Sequence, residues 1–125
     1  MAKRRKPIRR ESSKTAAAKR RMAKPRREYL EEMKFCVVTG RPASEIHEVA
    51  GGPVRFITFE DEAFWLPVCR EGHEVIQYES KAKQLARKFV HDPTRFSLAR
   101  FNEVYEGKES PVTKADIAAH LQVKE

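Results

Sequence analysis

The sequence predicts a small α+β domain, a β-hairpin followed by helices, behind a basic N-terminal arm. Short apolar runs at 35–38 and 46–49 flank a turn that contains Gly40 and Pro42, which is typical of paired strands. Apolar residues then recur at helical spacing over 72–90. The elements expected in chain order are a short helix over 26–34, the two strands, a Gly-Gly-Pro loop at 51–53, a buried extended segment over 64–68, the long helix over 72–90, and shorter helices after Asp92-Pro93 and from Thr113.

Charge is distributed unevenly along the 125 residues. The first 28 residues contain 13 Lys and Arg against 2 Glu, a balance of +11, whereas the remainder contains 13 against 16, a balance of −3. The excess of +8 therefore belongs to the arm. No apolar run is long enough for a transmembrane or secretory segment, and two cysteines cannot form a disulfide framework. These features favour a cytoplasmic protein that does not interact with membranes.

The arm, residues 1–28, is expected to be largely disordered because it has little apolar surface to bury. Residues 14–24 favour helix, which Pro25 is expected to end. Neutralising nucleic-acid phosphates would give the arm a salt-sensitive affinity that ignores sequence. A solubilising tail and a targeting signal are the alternatives. The candidate DNA-binding residues in the arm are Arg4, Arg5, Arg9, Arg10, Arg20 and Arg21.

Each of the two cysteines is the first residue of a short sequence that resembles an incomplete zinc knuckle. In a Cys-x-x-Cys knuckle, the positions after Cys36 and Cys69 that would carry the second thiolate are Thr39 and Gly72. A structural zinc is therefore not expected. Cys36 and Cys69 are instead expected to face each other as small buried residues.

Two histidines form a candidate divalent-metal site. His47 lies on an expected strand and His73 at the start of an expected helix, and each has glutamates on both sides. If the hairpin and the helix meet, the two imidazoles would share one metal.

The motifs together resemble the HNH endonuclease superfamily, the ββα-metal nucleases, and especially its small phage and prophage members. The similar stretches are Cys36-x-x-Thr-Gly, Glu45-Ile-His-Glu-Val, Trp65-Leu-Pro-Val-Cys69-x-x-x-His73-x-x-x-Gln77, and Asp92-Pro93 through Phe101-Asn102. The resemblance implies an HNH-like domain over 29–125, with a core unit at 35–90 and a helical extension at 91–125. The asparagine at the middle of the family motif has no match in this chain.

Site roles follow from that resemblance residue by residue. His47, His73 and Gln77 fall on metal-ligand positions, and Glu48 falls on the general base. Exchanged roles, with Glu48 as ligand and His47 as base, remain an alternative. Arg55, after the glycines, is expected to clamp a phosphate.

The resemblance implies a metal-dependent endonuclease that hydrolyses backbone phosphodiesters of double-stranded DNA with low sequence specificity. Its metal would be Mg, Mn, Ni or Zn, and its setting a bacterial or phage-infected cell. One alternative is a catalytically inactive HNH-like protein that binds nucleic acid. Another is an unrelated basic protein that binds RNA or ribosomes.

Overall fold

The computed structural model describes residues 13–49, 54–107 and 110–121, which form a small α+β fold. The elements are α1 (Ser13–Met33), β1 (Glu45–Glu48), α2 (Arg55–Thr58), a 3-10 turn (Glu62–Phe64), β2 (Trp65–Val68), α3 (Arg70–Ile76), α4 (Lys81–His91), α5 (Leu98–Val104) and α6 (Lys114–Leu121).

The sheet pairs β1 with β2, and not the two runs that the sequence suggested. The strands are antiparallel, with His47 opposite Leu66, and β2 is buried along its whole length. Residues 35–38, predicted as a strand, form an isolated bridge between Phe35 and Pro42 and a backbone hydrogen bond from Val37 N–H to the carbonyl of Pro67 at 3.1 Å. The Sγ atom of Cys36 accepts hydrogen bonds from the N–H groups of residues 38 and 39. These N–H groups therefore stabilise a turn and do not pair with another strand.

The two faces of the sheet pack against different helices. Side chains alternate along a strand, so Glu45 and His47 share one face while Glu48 lies on the other. Glu45 contacts α3, and His47 contacts α4. Glu48 contacts Arg26 of α1. Tyr29 of the same helix packs edge-on against Trp65.

Helix α1 extends through Pro25, where the sequence predicted a stop, so residues 13–28 of the arm are helical. Proline removes one backbone hydrogen bond, and tertiary contacts outweigh this cost. The guanidinium of Arg26 lies 4.1 Å from the ring centroid of Phe59 and 5.1 Å from that of Trp65. Tyr29 is buried, and its hydroxyl lies 2.8 Å from the carbonyl oxygen of Trp65.

The helix predicted over 72–90 is instead two helices. α3 ends at Ile76, and α4 begins at Lys81 after Ser80, whose side chain caps the new helix by accepting the N–H of Lys83. The carbonyls of Ile76 and Glu79 at the break accept hydrogen bonds from the amide of Gln84. A side chain from the second helix thus satisfies carbonyls that a continuous helix would have paired internally.

The C-terminal helices pack onto the same core. Phe101 of α5 and Ile117 of α6 are buried within it. α6 opens with the predicted capping box: Thr113 N–H donates to Asp116 Oδ2 at 2.9 Å, and Asp116 N–H donates to Thr113 Oγ1 at 3.1 Å. Asp92 ends α4 instead of opening a new helix, which begins only after the Ser97 cap.

Candidate metal site between the sheet and α3

The fold brings His47 of β1 and His73 of α3 into contact. Their ring centroids lie 5.2 Å apart and the rings meet edge to face, with an interplanar angle of 79°. β2 runs directly into α3, and β1 pairs with β2, so the strand ladder places the two histidines beside each other.

The imidazole of His73 is held by a carboxylate from the strand. Its Nδ1 lies 2.8 Å from Oε1 of Glu45, two residues before His47 and on the same face of β1. The other carboxylate oxygen of Glu45 lies 3.5 Å from Nε of Arg70. Because an ionised carboxylate only accepts, Nδ1 of His73 is the donor, so the lone pair of this tautomer lies on Nε2.

The imidazole of His47 is buried and bonded to α4. It is 8% exposed, and its Nε2 lies 2.7 Å from Oε1 of Gln84. Burial lowers the pKa of His47 and the Gln84 hydrogen bond opposes that shift only in part, so the ring is neutral near pH 7. Gln84 was not predicted as a site residue, because a glutamine beside an apolar helical stripe carries no sequence signature.

Glu48, expected to act beside His47, lies on the opposite face of the sheet. Its Oε1 accepts from Thr58 Oγ1 at 3.0 Å, and its Oε2 lies 3.3 Å from Nη2 of Arg26. Alternation along β1 directs the two neighbouring side chains apart, and the Arg26 pair holds the carboxylate there.

Gln77, expected as a third ligand, is exposed at the end of α3. Its side-chain amide donates a long hydrogen bond of 3.5 Å to the carbonyl of Glu74. Within residues 13–49, 54–107 and 110–121, no three His, Cys, Asp or Glu side chains are grouped so as to hold a metal. The two imidazoles that meet here are nitrogen donors, a ligand type that suits Zn or Ni better than Mg.

The knuckle-like positions converge next to α3. A Cβ atom built on Gly72 would lie 2.3 Å from Sγ of Cys36 and 3.6 Å from Sγ of Cys69. Thr39 Oγ1 lies 3.2 Å from Sγ of Cys69. Both cysteines are free and buried, as expected for neighbours that pack. Burial opposes ionisation of Cys36, but hydrogen bonds from Thr39 and from backbone N–H groups outweigh it and lower its pKa to about 7.

The candidate DNA-binding arginines are described only in part. Arg20 and Arg21 lie exposed on α1, and Arg21 pairs with Glu60 across 2.5 Å. The side chain of Arg55 lies outside the described part of the structure. Four further candidates precede the described residues: Arg4, Arg5, Arg9 and Arg10.

Comparisons with known proteins add no relative. No protein-family model, no curated protein and no solved structure matches the chain significantly. Among the described helices, none has a stretch long and apolar enough to cross a bilayer.

Proposed function

We propose that this protein is a metal-dependent nuclease that hydrolyses DNA backbone phosphodiesters, with His47 and His73 as its metal-binding pair. One observation carries the proposal: each imidazole has one nitrogen occupied by an acceptor from another element, Glu45 for His73 and Gln84 for His47. Metal-binding histidines are held in this way, because the second hydrogen bond orients the ring and leaves the other nitrogen for the metal.

The separation of the rings supports a shared cation. A tetrahedral metal about 2.0–2.1 Å from one nitrogen of each ring would place the two ring centroids about 5 Å apart. The centroids of His47 and His73 lie 5.2 Å apart. The separation of the ring centroids is therefore compatible with one shared ion.

The chain's own residues would hold the site and orient the substrate. A bound divalent cation would supply positive charge that stabilises the phosphate as negative charge develops on it, and would favour ionisation of water. Glu45 and Gln84 keep the imidazoles in place. Arg70, beside Glu45, is 77% exposed and adds a cation at the rim of the site, where a phosphate would approach.

DNA is the proposed partner because helix α1 exposes a cationic stripe, defined as Arg20, Lys24 and Arg27. These residues are spaced four and three apart, so they project from one face of the helix. Such a stripe binds phosphates without reading bases, which agrees with low sequence specificity. α1 packs on the Glu48 face of the sheet, away from the histidine pair, so binding and cleavage use separate surfaces.

A second candidate function is a nucleic-acid-binding protein without catalysis. The observation that favours it is the position of Glu48: the residue at the general-base position of the HNH motif is tied to Arg26 and Thr58. The exposed side-chain amide of Gln77 donates to the carbonyl of Glu74 in its own helix.

Nicking of supercoiled plasmid separates the two candidates. Wild type, His73→Ala and the control His120→Ala, a histidine exposed on α6, are compared with Mg, Mn, Ni or Zn. We expect metal-dependent nicking by wild type and by His120→Ala, and none by His73→Ala. If no metal supports nicking while DNA binding is intact, the nuclease proposal is wrong and the binding protein remains.

A further inference from the structure

Gln84 is the buried polar side chain from α4 that reaches the histidine pair. It is 3% exposed, and its amide group hydrogen-bonds to His47 and to the backbone carbonyls of Ile76 and Glu79. Its amide nitrogen donates to the carbonyl oxygens of Ile76 at 3.0 Å and of Glu79 at 2.9 Å.

These two carbonyls determine which way the amide faces. A backbone carbonyl only accepts, so the nitrogen of Gln84 must point toward Ile76 and Glu79. Its oxygen is then the atom 2.7 Å from Nε2 of His47. Because that oxygen only accepts, Nε2 of His47 must carry the proton.

We propose that Gln84 is a positioning residue that holds His47 as its Nε2–H tautomer and so makes Nδ1 the atom open to a ligand. Glu45 imposes the opposite pattern on His73, whose Nδ1 donates and whose Nε2 is open. The pair is therefore asymmetric, with one open nitrogen of each kind. This inference deepens the proposed function, since it says which atom of His47 would meet the metal and assigns a residue on α4 to orient that ring.

Gln84 also bridges the break between α3 and α4, so the test must separate positioning from folding. Gln84→Met removes both the acceptor for His47 and the two donors for the carbonyls. Gln84→Glu keeps an acceptor toward His47 and loses the two donors. A purely structural role predicts similar damage in both variants, whereas a positioning role predicts that Gln84→Glu behaves like wild type at His47.

The first readout is the tautomer itself, measured without metal by nitrogen-15 NMR of histidine-labelled full-length protein at mildly alkaline pH. In wild type we expect His47 protonated at Nε2 and His73 at Nδ1. In Gln84→Met the protected Nε2 proton of His47 should be lost and the second tautomer should appear, while Gln84→Glu retains the wild-type pattern. A wild-type His47 protonated at Nδ1, or a Gln84→Met spectrum identical to wild type, would overturn the inference.

The second readout is the affinity for nickel ion alone, measured by calorimetry. Loss of such an outer hydrogen bond typically weakens metal binding about 10- to 100-fold. We expect that loss in Gln84→Met and near wild-type affinity in Gln84→Glu; equal losses in both variants would contradict positioning. The tautomer of His47 does not depend on nuclease activity. A protein that never nicks DNA but shows the expected His47 signal would therefore refute the proposed function and still support the role of Gln84.

Discussion

Arg26 of α1 and Glu48 of β1 form an ion pair on the face of the sheet opposite His47, with Nη2 of Arg26 3.3 Å from Oε2 of Glu48. The pair is largely buried, with 17% and 7% of the two side chains exposed. The same guanidinium donates to the carbonyl of Phe59 at 2.9 Å. The carboxylate that the motif assigns to catalysis therefore helps fasten the basic helix to the domain.

We expect Glu48→Gln to lower stability and to leave metal-dependent nicking intact. The neutral amide keeps the shape but loses the charge that faces Arg26, at a cost of about 1–3 kcal/mol in the free energy of unfolding measured in urea. Glu28→Gln, whose partner Lys24 lies 3.9 Å away in an exposed pair, is the control and should change stability by less than about 0.5 kcal/mol. A Glu48→Gln protein that is fully stable but does not nick DNA would show that Glu48 takes part in catalysis.

Lys88→Met should be among the most destabilising single changes in the chain. The ammonium of Lys88 is fully buried, donates to the carbonyl of Trp65 and lies 2.7 Å from Oδ2 of Asp92. Removing one member of a buried pair costs about 3–5 kcal/mol, and Asp92 would keep only its second ion pair, with Arg95 at 2.9 Å. Lys83→Met, on the exposed side of the same helix, is the control for thermal and urea denaturation. Comparable losses in the two variants would contradict this account of the buried pair.

Stability should fall in acid because of Asp92. Burial alone would raise its pKa, but hydrogen bonds and charge from Lys88 and Arg95 outweigh burial and hold the pKa below its ordinary value. The unfolded chain then binds the proton more readily than the folded one. The stabilisation is complete above the unfolded pKa of about 4 and is lost as the pH falls through the lower folded value.

Urea denaturation of wild type and of Asp92→Asn, repeated across this acidic range, measures the effect. We expect the variant to be less stable at neutral pH and to lose less stability on acidification, because it lacks the titrating carboxylate. Equal losses in the two proteins would show that other groups cause the acid sensitivity.

Gly72→Ala should destabilise the protein although alanine favours helix by up to about 1 kcal/mol. The new Cβ would lie 2.3 Å from Sγ of Cys36, and overpacking of this kind costs about 1–3 kcal/mol. The penalty should largely disappear when the sulfur is removed by Cys36→Ala. It should persist with Cys69→Ala, whose sulfur is at an ordinary contact distance of 3.6 Å. A penalty of equal size in both backgrounds would contradict the steric cause.

Neutralising the cationic stripe should reduce the salt sensitivity of DNA binding. The triple change Arg20→Gln, Lys24→Gln and Arg27→Gln should lower the slope of log affinity against log salt by up to about 0.9 per lost phosphate contact. Lys114→Gln, an exposed cation on α6, is the control and should leave the slope unchanged. An unchanged slope in the triple variant would show that α1 does not contact the phosphates.

Local patterns were enough to predict several elements of the fold. The capping box at Thr113 follows from residue types three positions apart, and the structure shows both of its hydrogen bonds. The apolar run at 64–68 was expected to be buried and extended, and residues 65–68 of it form β2. Both follow from chemistry within a few neighbouring residues, so no tertiary information was needed.

By itself, the sequence determined a small α+β chain with a basic N-terminal segment and two histidines, one on a strand and one near the start of a helix. Only the tertiary structure decided that β1 pairs with β2, that α1 continues through Pro25, and that Glu48 and His47 face opposite ways. It also decided that Gln84 reaches His47 from 37 residues away. The physical reason is the same in each case. Strand pairing, packing of a helix on a sheet and burial of an amide depend on contacts between distant segments, which local periodicity cannot predict.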